Sequence, residues 1–106
     1  MEINRIENMK GGWFVGDFEP SSFKTDLFEV CYKFHEKGEK WDTHYHKIGT
    51  EINYLVKGKM IIQDKELTEG DIFILKPYEI ANPEFIEDCT VLIIKTPSVA
   101  DDKYII

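Results

Sequence analysis

The chain has 106 residues and a formal net charge of −7, with 42% hydrophobic and 31% charged residues. That length holds a single hydrophobic core, the composition is too apolar for a disordered chain, and no run approaches the ~18 apolar residues of a membrane span. Its thirteen basic residues are scattered, which together with the negative balance argues against a nucleic-acid partner.

Residues 1–26 read as an N-terminal arm and strand, with Trp13 and Phe14 as packing or rim residues. Residues 1–9 show no apolar core or cleavage site of a secretory signal, so the expectation is a cytoplasmic protein with no membrane partner. Residues 27–96 carry the strand signals and form the expected barrel core. From Leu27 to His35 the even positions are apolar (Phe28, Val30, Tyr32, Phe34), while Glu29, Lys33 and His35 occupy odd ones. A period of two describes a half-buried strand, and the apolar side chains are expected to wall the interior. Gly38 suits a turn, because only glycine adopts positive φ freely.

Glu51 to Gln63 reads as two extended runs joined at Lys57-Gly58, the pattern of a hairpin, with a second tight turn at Asp64-Lys65. Apolar runs follow at Ile72 to Leu75, ended by Pro77, and at Cys89 to Lys95, closed by Pro97. Cys31 and Cys89 sit inside strand-like runs and read as small buried thiols of a reduced compartment. No amphipathic helix of ten residues is found. The tail, residues 97–106, ends in a charged and then apolar stretch that pairs as an edge strand, packs on a neighbour or frays. Short strands with frequent turns predict an all-β sandwich or barrel in one domain, residues 1–106.

Two of the three histidines form the triplet His44-Tyr45-His46, and Glu51 follows after Gly49. On a strand, positions i and i+2 share a face, so both imidazoles point the same way. A glycine permits a bulge that brings Glu51 to the same side. Two imidazoles and a carboxylate with open positions suit one divalent transition metal, whether Fe, Mn, Zn, Ni or Cu.

The run from Gly38 to Gly58 reads G-x5-H-x-H-x4-E-x6-G, which resembles the first motif of the cupin superfamily. The resemblance implies a cupin-type double-stranded β-helix, a jelly-roll barrel of six to eight strands, with His44, His46 and Glu51 as metal ligands. It also implies a homodimer. The second cupin motif, G-x5-P-x-G-x2-H-x3-N, is degraded here. Gly70 fits, but Lys76, Tyr78, Ala81 and Phe85 stand where proline, glycine, histidine and asparagine belong. The fourth ligand is therefore missing from its place, and Asn82 is the candidate substitute one residue on.

Asn53, Gln63 and Glu79 are candidate polar contacts for a small-molecule ligand, and Glu79 or Tyr32 the candidate acid or base. The leading reading is a metal-binding small cupin acting on a small polar molecule, with isomerase-type or dioxygenase-type chemistry. Beside it stands a non-catalytic cupin that binds or senses a sugar or small acid with weak or absent metal. A structural subunit with vestigial histidines is the third.

Overall fold

Alternating side chains and turn residues carry the chain through ten strands; the computed structural model describes residues 1–106. After a 3₁₀ turn (Ile6–Asn8) come β1 (Trp13–Val15), β2 (Glu29–His35), β3 (His44–Tyr45), β4 (Thr50–Lys57) and β5 (Lys59–Ile62). There follow β6 (Lys65–Thr68), β7 (Ile72–Leu75), β8 (Glu84–Phe85), β9 (Cys89–Thr96) and β10 (Tyr104–Ile105). Ten strands exceed the six to eight expected, although only six have four or more residues, and no α-helix is present.

The strands form a five-stranded sheet in the order β1-β2-β9-β4-β7, a three-stranded sheet β6-β5-β8, and a two-stranded ribbon β10-β3. All the named pairings are antiparallel. Between the sheets lies a core of Cys31, Leu55, Met60, Ile62, Leu75, Phe85, Cys89, Val91 and Ile93, with Leu55, Cys31 and Cys89 wholly inaccessible. Both cysteines are unbridged, as their strand setting predicted, and burial pushes the Cys31 thiol up to about 12, so it stays protonated.

The run Glu51 to Gln63 is not a hairpin. β4 pairs with β7 and β9, whereas β5 pairs with β6 and β8, so Lys57-Gly58 is where the chain leaves one sheet for the other. Gly58 has φ 102, and a Cβ there would lie 2.4 Å from the Asp88 carbonyl oxygen. Glycine is needed for that close passage, not for a two-residue turn. The tight turn between β5 and β6 falls at Gln63 and Asp64, whose φ values of 49 and 60 suit a hairpin of primed type.

A second correction concerns β2. Its odd positions, not its even ones, face the interior: Glu29, Cys31 and His35 are buried, while Tyr32 and Phe34 are 47% and 59% exposed. Phe28, Tyr32 and Phe34 therefore do not wall the cavity between the sheets. The register explains the inversion. Two apolar rows cross the outer face of the large sheet, Val30–Ile94–Ile52–Ile74 and Tyr32–Leu92–Tyr54–Ile72. Hydrophobicity marks that outer face, while the inner face of β2 is polar because it borders a cavity.

Candidate metal and ligand site

A cavity of about 240 Å³ opens between the two sheets, and His44, His46 and Glu51 all line it. They come from different layers. His44 begins β3, whose neighbours are β10 and, through a two-way bridge, Ala81: His44 N–H donates to the Ala81 carbonyl at 3.0 Å and receives the reverse bond at 2.8 Å. Glu51 sits on β4 of the large sheet, its backbone flanked in register by Lys95 and Leu75. Gly49 makes no bulge. It lets the chain cross between layers, where a Cβ would meet the Lys95 side chain at 3.1 Å.

Asp102 fixes this crossing. Its buried carboxylate accepts backbone N–H bonds from Lys47 (3.0 Å), Ile48 (3.1 Å) and Gly49 (2.8 Å), the residues that join His46 to Glu51. Burial works against the charge, but these bonds outweigh it and hold the Asp102 pKa below the ordinary carboxylate value. Through them the C-terminal tail is anchored, and β10 pairs with β3 as an edge strand.

His44 Nδ1 lies 2.8 Å from the Asp42 carbonyl. An oxygen of that kind only accepts, so the bond places the proton on Nδ1 and leaves Nε2 as a lone-pair donor, the usual arrangement behind a ligating histidine. Burial lowers the His44 pKa, with Lys103 and Lys95 adding to the effect. Burial, then Lys95 and His44, bring His46 down to about 4. Both rings are neutral at pH 7, the state metal binding requires. Glu51 shows the opposite response: burial raises its carboxyl pKa, and Lys95 opposes the rise. Lys95 already pairs with Glu29 at 3.1 Å, both side chains nearly buried, and Lys103 also opposes the rise at Glu51, but no ammonium group stands within ion-pair distance of that carboxylate.

As the side chains stand, no three His, Cys, Asp or Glu donors close on one point. His46 Nδ1 is 3.8 Å from Glu51 Oε2, and the His44 and His46 ring centroids are 5.4 Å apart. The donor set nonetheless fits a divalent ion in kind: two neutral imidazoles, one with its tautomer fixed, beside a buried carboxylate short of positive charge.

A second group lines the same cavity. His35, buried on β2, bonds through Nδ1 to Glu39 Oε2 at 2.5 Å and stacks on Phe85. Glu39 also accepts from Trp41 Nε1 at 2.8 Å. Burial lowers the His35 pKa despite Glu39, so this ring too is neutral at pH 7. Lys33, Lys95 and Lys103 complete the polar lining, and the Lys33 and Lys103 ammonium groups stand 4.8 and 4.6 Å from the Trp41 ring centroid.

Of the remaining candidates, Asn53 lines the cavity, 3% exposed. Asn82 does not: it is exposed, and its Oδ1 accepts the Gln63 backbone N–H at 2.9 Å. Gln63 is likewise outside, donating to the Ile80 carbonyl at 2.8 Å. Glu79 caps its own turn by accepting from Lys76 N–H at 2.7 Å, and Tyr32 lies on the outer sheet face. Asn82, Gln63, Glu79 and Tyr32 therefore touch nothing in the cavity. Ala81, where the second motif would place its histidine, is buried in the cavity lining. Tyr78, at that motif's glycine position, has φ 70, a conformation glycine would adopt without strain.

Sequence reasoning missed His35, Glu39, Lys33, Lys95 and Lys103. One signal was available: His35 and Glu39 flank the Gly38 turn with Trp41 two residues on. The lysines gave none, since their strands lie far apart in sequence.

No family model matches the sequence, and no curated protein sequence does. Solved structures do resemble the fold. An uncharacterised protein with a double-stranded β-helix domain from Klebsiella pneumoniae aligns with a TM-score of 0.67 at 20% identity, over 76% of this chain and 71% of its own. A cupin-2 domain protein from Shewanella frigidimarina gives 0.56 at 17%, over 68% and 72%. The DMSP lyase DddQ from Ruegeria pomeroyi gives 0.73 at 13%, over 88% of this chain but 49% of its own. With its antiparallel strands, its interior cavity and these neighbours, the chain has the small cupin fold, a double-stranded β-helix.

Proposed function

We propose that this protein binds one divalent transition-metal ion through His44, His46 and Glu51 and acts on a small polar molecule in the cavity beside it. The observation that carries the reading is the charge balance at Glu51. Glu51, largely shielded from solvent, has no ammonium group within ion-pair distance, Lys95 being paired with Glu29, and it shares the cavity with two neutral imidazoles, so a divalent ion would supply the missing cation. Gathering the three donors on one ion requires their side chains to move from where they stand. The enzymatic neighbour named above, a DMSP lyase, supports action on a small molecule.

When bound, such an ion would polarise a carbonyl, or bind O₂ if it is Fe(II), which gives the isomerase-type or dioxygenase-type chemistry. The chain's own residues supply the rest. Asn53 offers an amide to orient a ligand. His35, held by Glu39 and neutral at pH 7, accepts a proton from a bound molecule, the part first assigned to Glu79 or Tyr32. Apolar side chains such as Phe73, Leu75 and Ile93 exclude water from the inner wall.

The non-catalytic reading, a sugar or small-acid binding cupin, is favoured by one observation: Ala81 occupies the place of a fourth ligand. Two further expectations belong with this proposal. A second copy of the chain covers the outer apolar rows, making a homodimer; Ile72 and Ile74 there are 67% and 50% exposed. The buried, unbridged thiols support a cytoplasmic setting, and no helix is long and apolar enough to cross a membrane.

Elemental analysis of untagged protein beside the His44→Ala/His46→Ala double variant tests the metal. Near one equivalent of a transition metal in the parent and little in the variant is the expected result. Parent and variant both empty after reconstitution with each ion would overturn it and leave the binding reading.

A further inference from the structure

The cavity is far more cationic than the chain. Against a net charge of −7, three of its lysines, Lys33, Lys95 and Lys103, line one cavity of about 240 Å³. Their charges are not all cancelled. Lys95 is paired with Glu29, and Glu39 is occupied by His35 and Trp41. Lys33 and Lys103 form no ion pair, yet both ammonium groups are held within 5 Å of the Trp41 ring centroid, one from β2 and one from the tail ahead of β10. The carboxylate at this indole, Glu39, bonds His35 and Trp41 Nε1 but pairs with neither lysine, and Lys103 acts on Glu51 only beyond ion-pair distance, so the two ammonium groups leave a place for an anion. The indole faces help to hold the ammonium groups but do not neutralise them. The chain that carries Lys103 is fixed beside the cavity, because its neighbour Asp102 is clamped by the three N–H bonds of the His46 to Glu51 crossing.

We propose that the ligand of this cavity is a small carboxylate, its acid group anchored by Lys33 and Lys103 beside Trp41 and its other end directed toward His44, His46 and Glu51. The proposal names the substrate class for the site described above and rests on that reading for the metal end alone. Geometry sets the size. The Trp41 and His44 ring centroids are 6.4 Å apart, so the lysines held at the indole and the imidazoles border the same small cavity. At roughly 30 Å³ per water, the cavity has room for about eight waters. Its lining also separates carboxylate from phosphate. More than half the lining residues are hydrophobic, among them Met60, Ile62 and Phe85, which suits a hydrocarbon body. The chain's one arginine, Arg5, whose forked guanidinium would grip phosphate, is on the exposed N-terminal arm with Glu7.

Both tryptophans, Trp13 and Trp41, line the cavity, so intrinsic fluorescence reports its occupancy. Full-length protein, with metal content measured, is titrated with succinate, with glutarate and with the uncharged succinamide. Expected are saturable responses to a diacid and none to the diamide. Lys33→Gln and Lys103→Gln should each weaken diacid binding about tenfold, the usual worth of a charged hydrogen bond. Lys103 is exposed, so its replacement leaves the fold intact. Succinamide binding as tightly as succinate would overturn the proposal. So would an undiminished diacid affinity in the Lys33→Gln/Lys103→Gln double variant, or no diacid response at concentrations that saturate a millimolar site. The His44→Ala/His46→Ala variant separates the two proposals. Diacid binding that survives loss of the histidines, in a parent that carries no metal, keeps the lysine anchor and removes the metal. Metal bound stoichiometrically with no diacid binding does the reverse.

Discussion

Acidifying the metal-free protein should draw a destabilising contribution from His46. The folded ring titrates near 4 against an ordinary value of 6.5, because it is buried beside Lys95 and His44. Above pH 6.5 neither the folded nor the unfolded chain holds a proton there, and the full stability is present. As pH falls through 6.5 the unfolded chain takes up a proton that the folded one refuses until about pH 4, so the balance shifts toward unfolding. A gap of about 2.5 units at about 1.4 kcal/mol each amounts to about 3 kcal/mol lost by pH 4. The side chain is only 10% exposed, so solvent screening takes little from that figure. His35 and His44, also lowered by burial, act with the same sign. Glu51, raised by burial, acts with the opposite sign toward pH 4.5, and the lowered pKa values of Glu39 and Asp102 add to the loss below it. The assay is urea denaturation of chelator-treated protein at steps between about pH 7.5 and 4.5, for the parent and for His46→Gln. The variant should lose about 2.5 kcal/mol less over that range. Parallel pH profiles for the two proteins would refute the assignment of the acid sensitivity to this ring.

Restoring the missing ligand should strengthen the site: Ala81→His places an imidazole in the cavity wall across from His44 and should raise zinc affinity on the order of tenfold or more, measured by competition with a chromogenic chelator. An unchanged affinity would mean that position 81 does not reach the ion. Asp102→Ala strips the partners from three backbone N–H groups and should cost about 3 kcal/mol in urea denaturation, with faster amide exchange confined first to residues 47–49. A loss below ~1 kcal/mol would show that the tail does not hold the crossing. Tyr54→Lys with Ile72→Lys, both in the outer apolar row, should turn a dimer into a monomer by light scattering at micromolar concentration. A parent of monomeric mass would remove the dimer.

How much was legible in the sequence differs between the two halves of the site. The alternation of residues 27–35, the turn at Gly38 and the apolar runs ending at Pro77 and Pro97 were enough for an all-β chain, because strand formation and turn conformation are local choices. The spacing His44, His46, Glu51 brought these residues to one cavity, and the place of the absent histidine fell on Ala81, which faces that cavity. Tertiary structure alone decided three things. It decided which face of β2 looks inward, because an alternating strand has two faces and here the more hydrophobic one is outside. It decided that Lys57-Gly58 joins two sheets instead of two paired strands, since pairing depends on β8 and β9, more than twenty residues downstream. And it decided that His35, Glu39, Lys33, Lys95 and Lys103 share a cavity with the histidines. Those side chains meet through antiparallel register between distant strands and through the clamp on Asp102, and long-range pairing of that kind leaves no mark in local sequence.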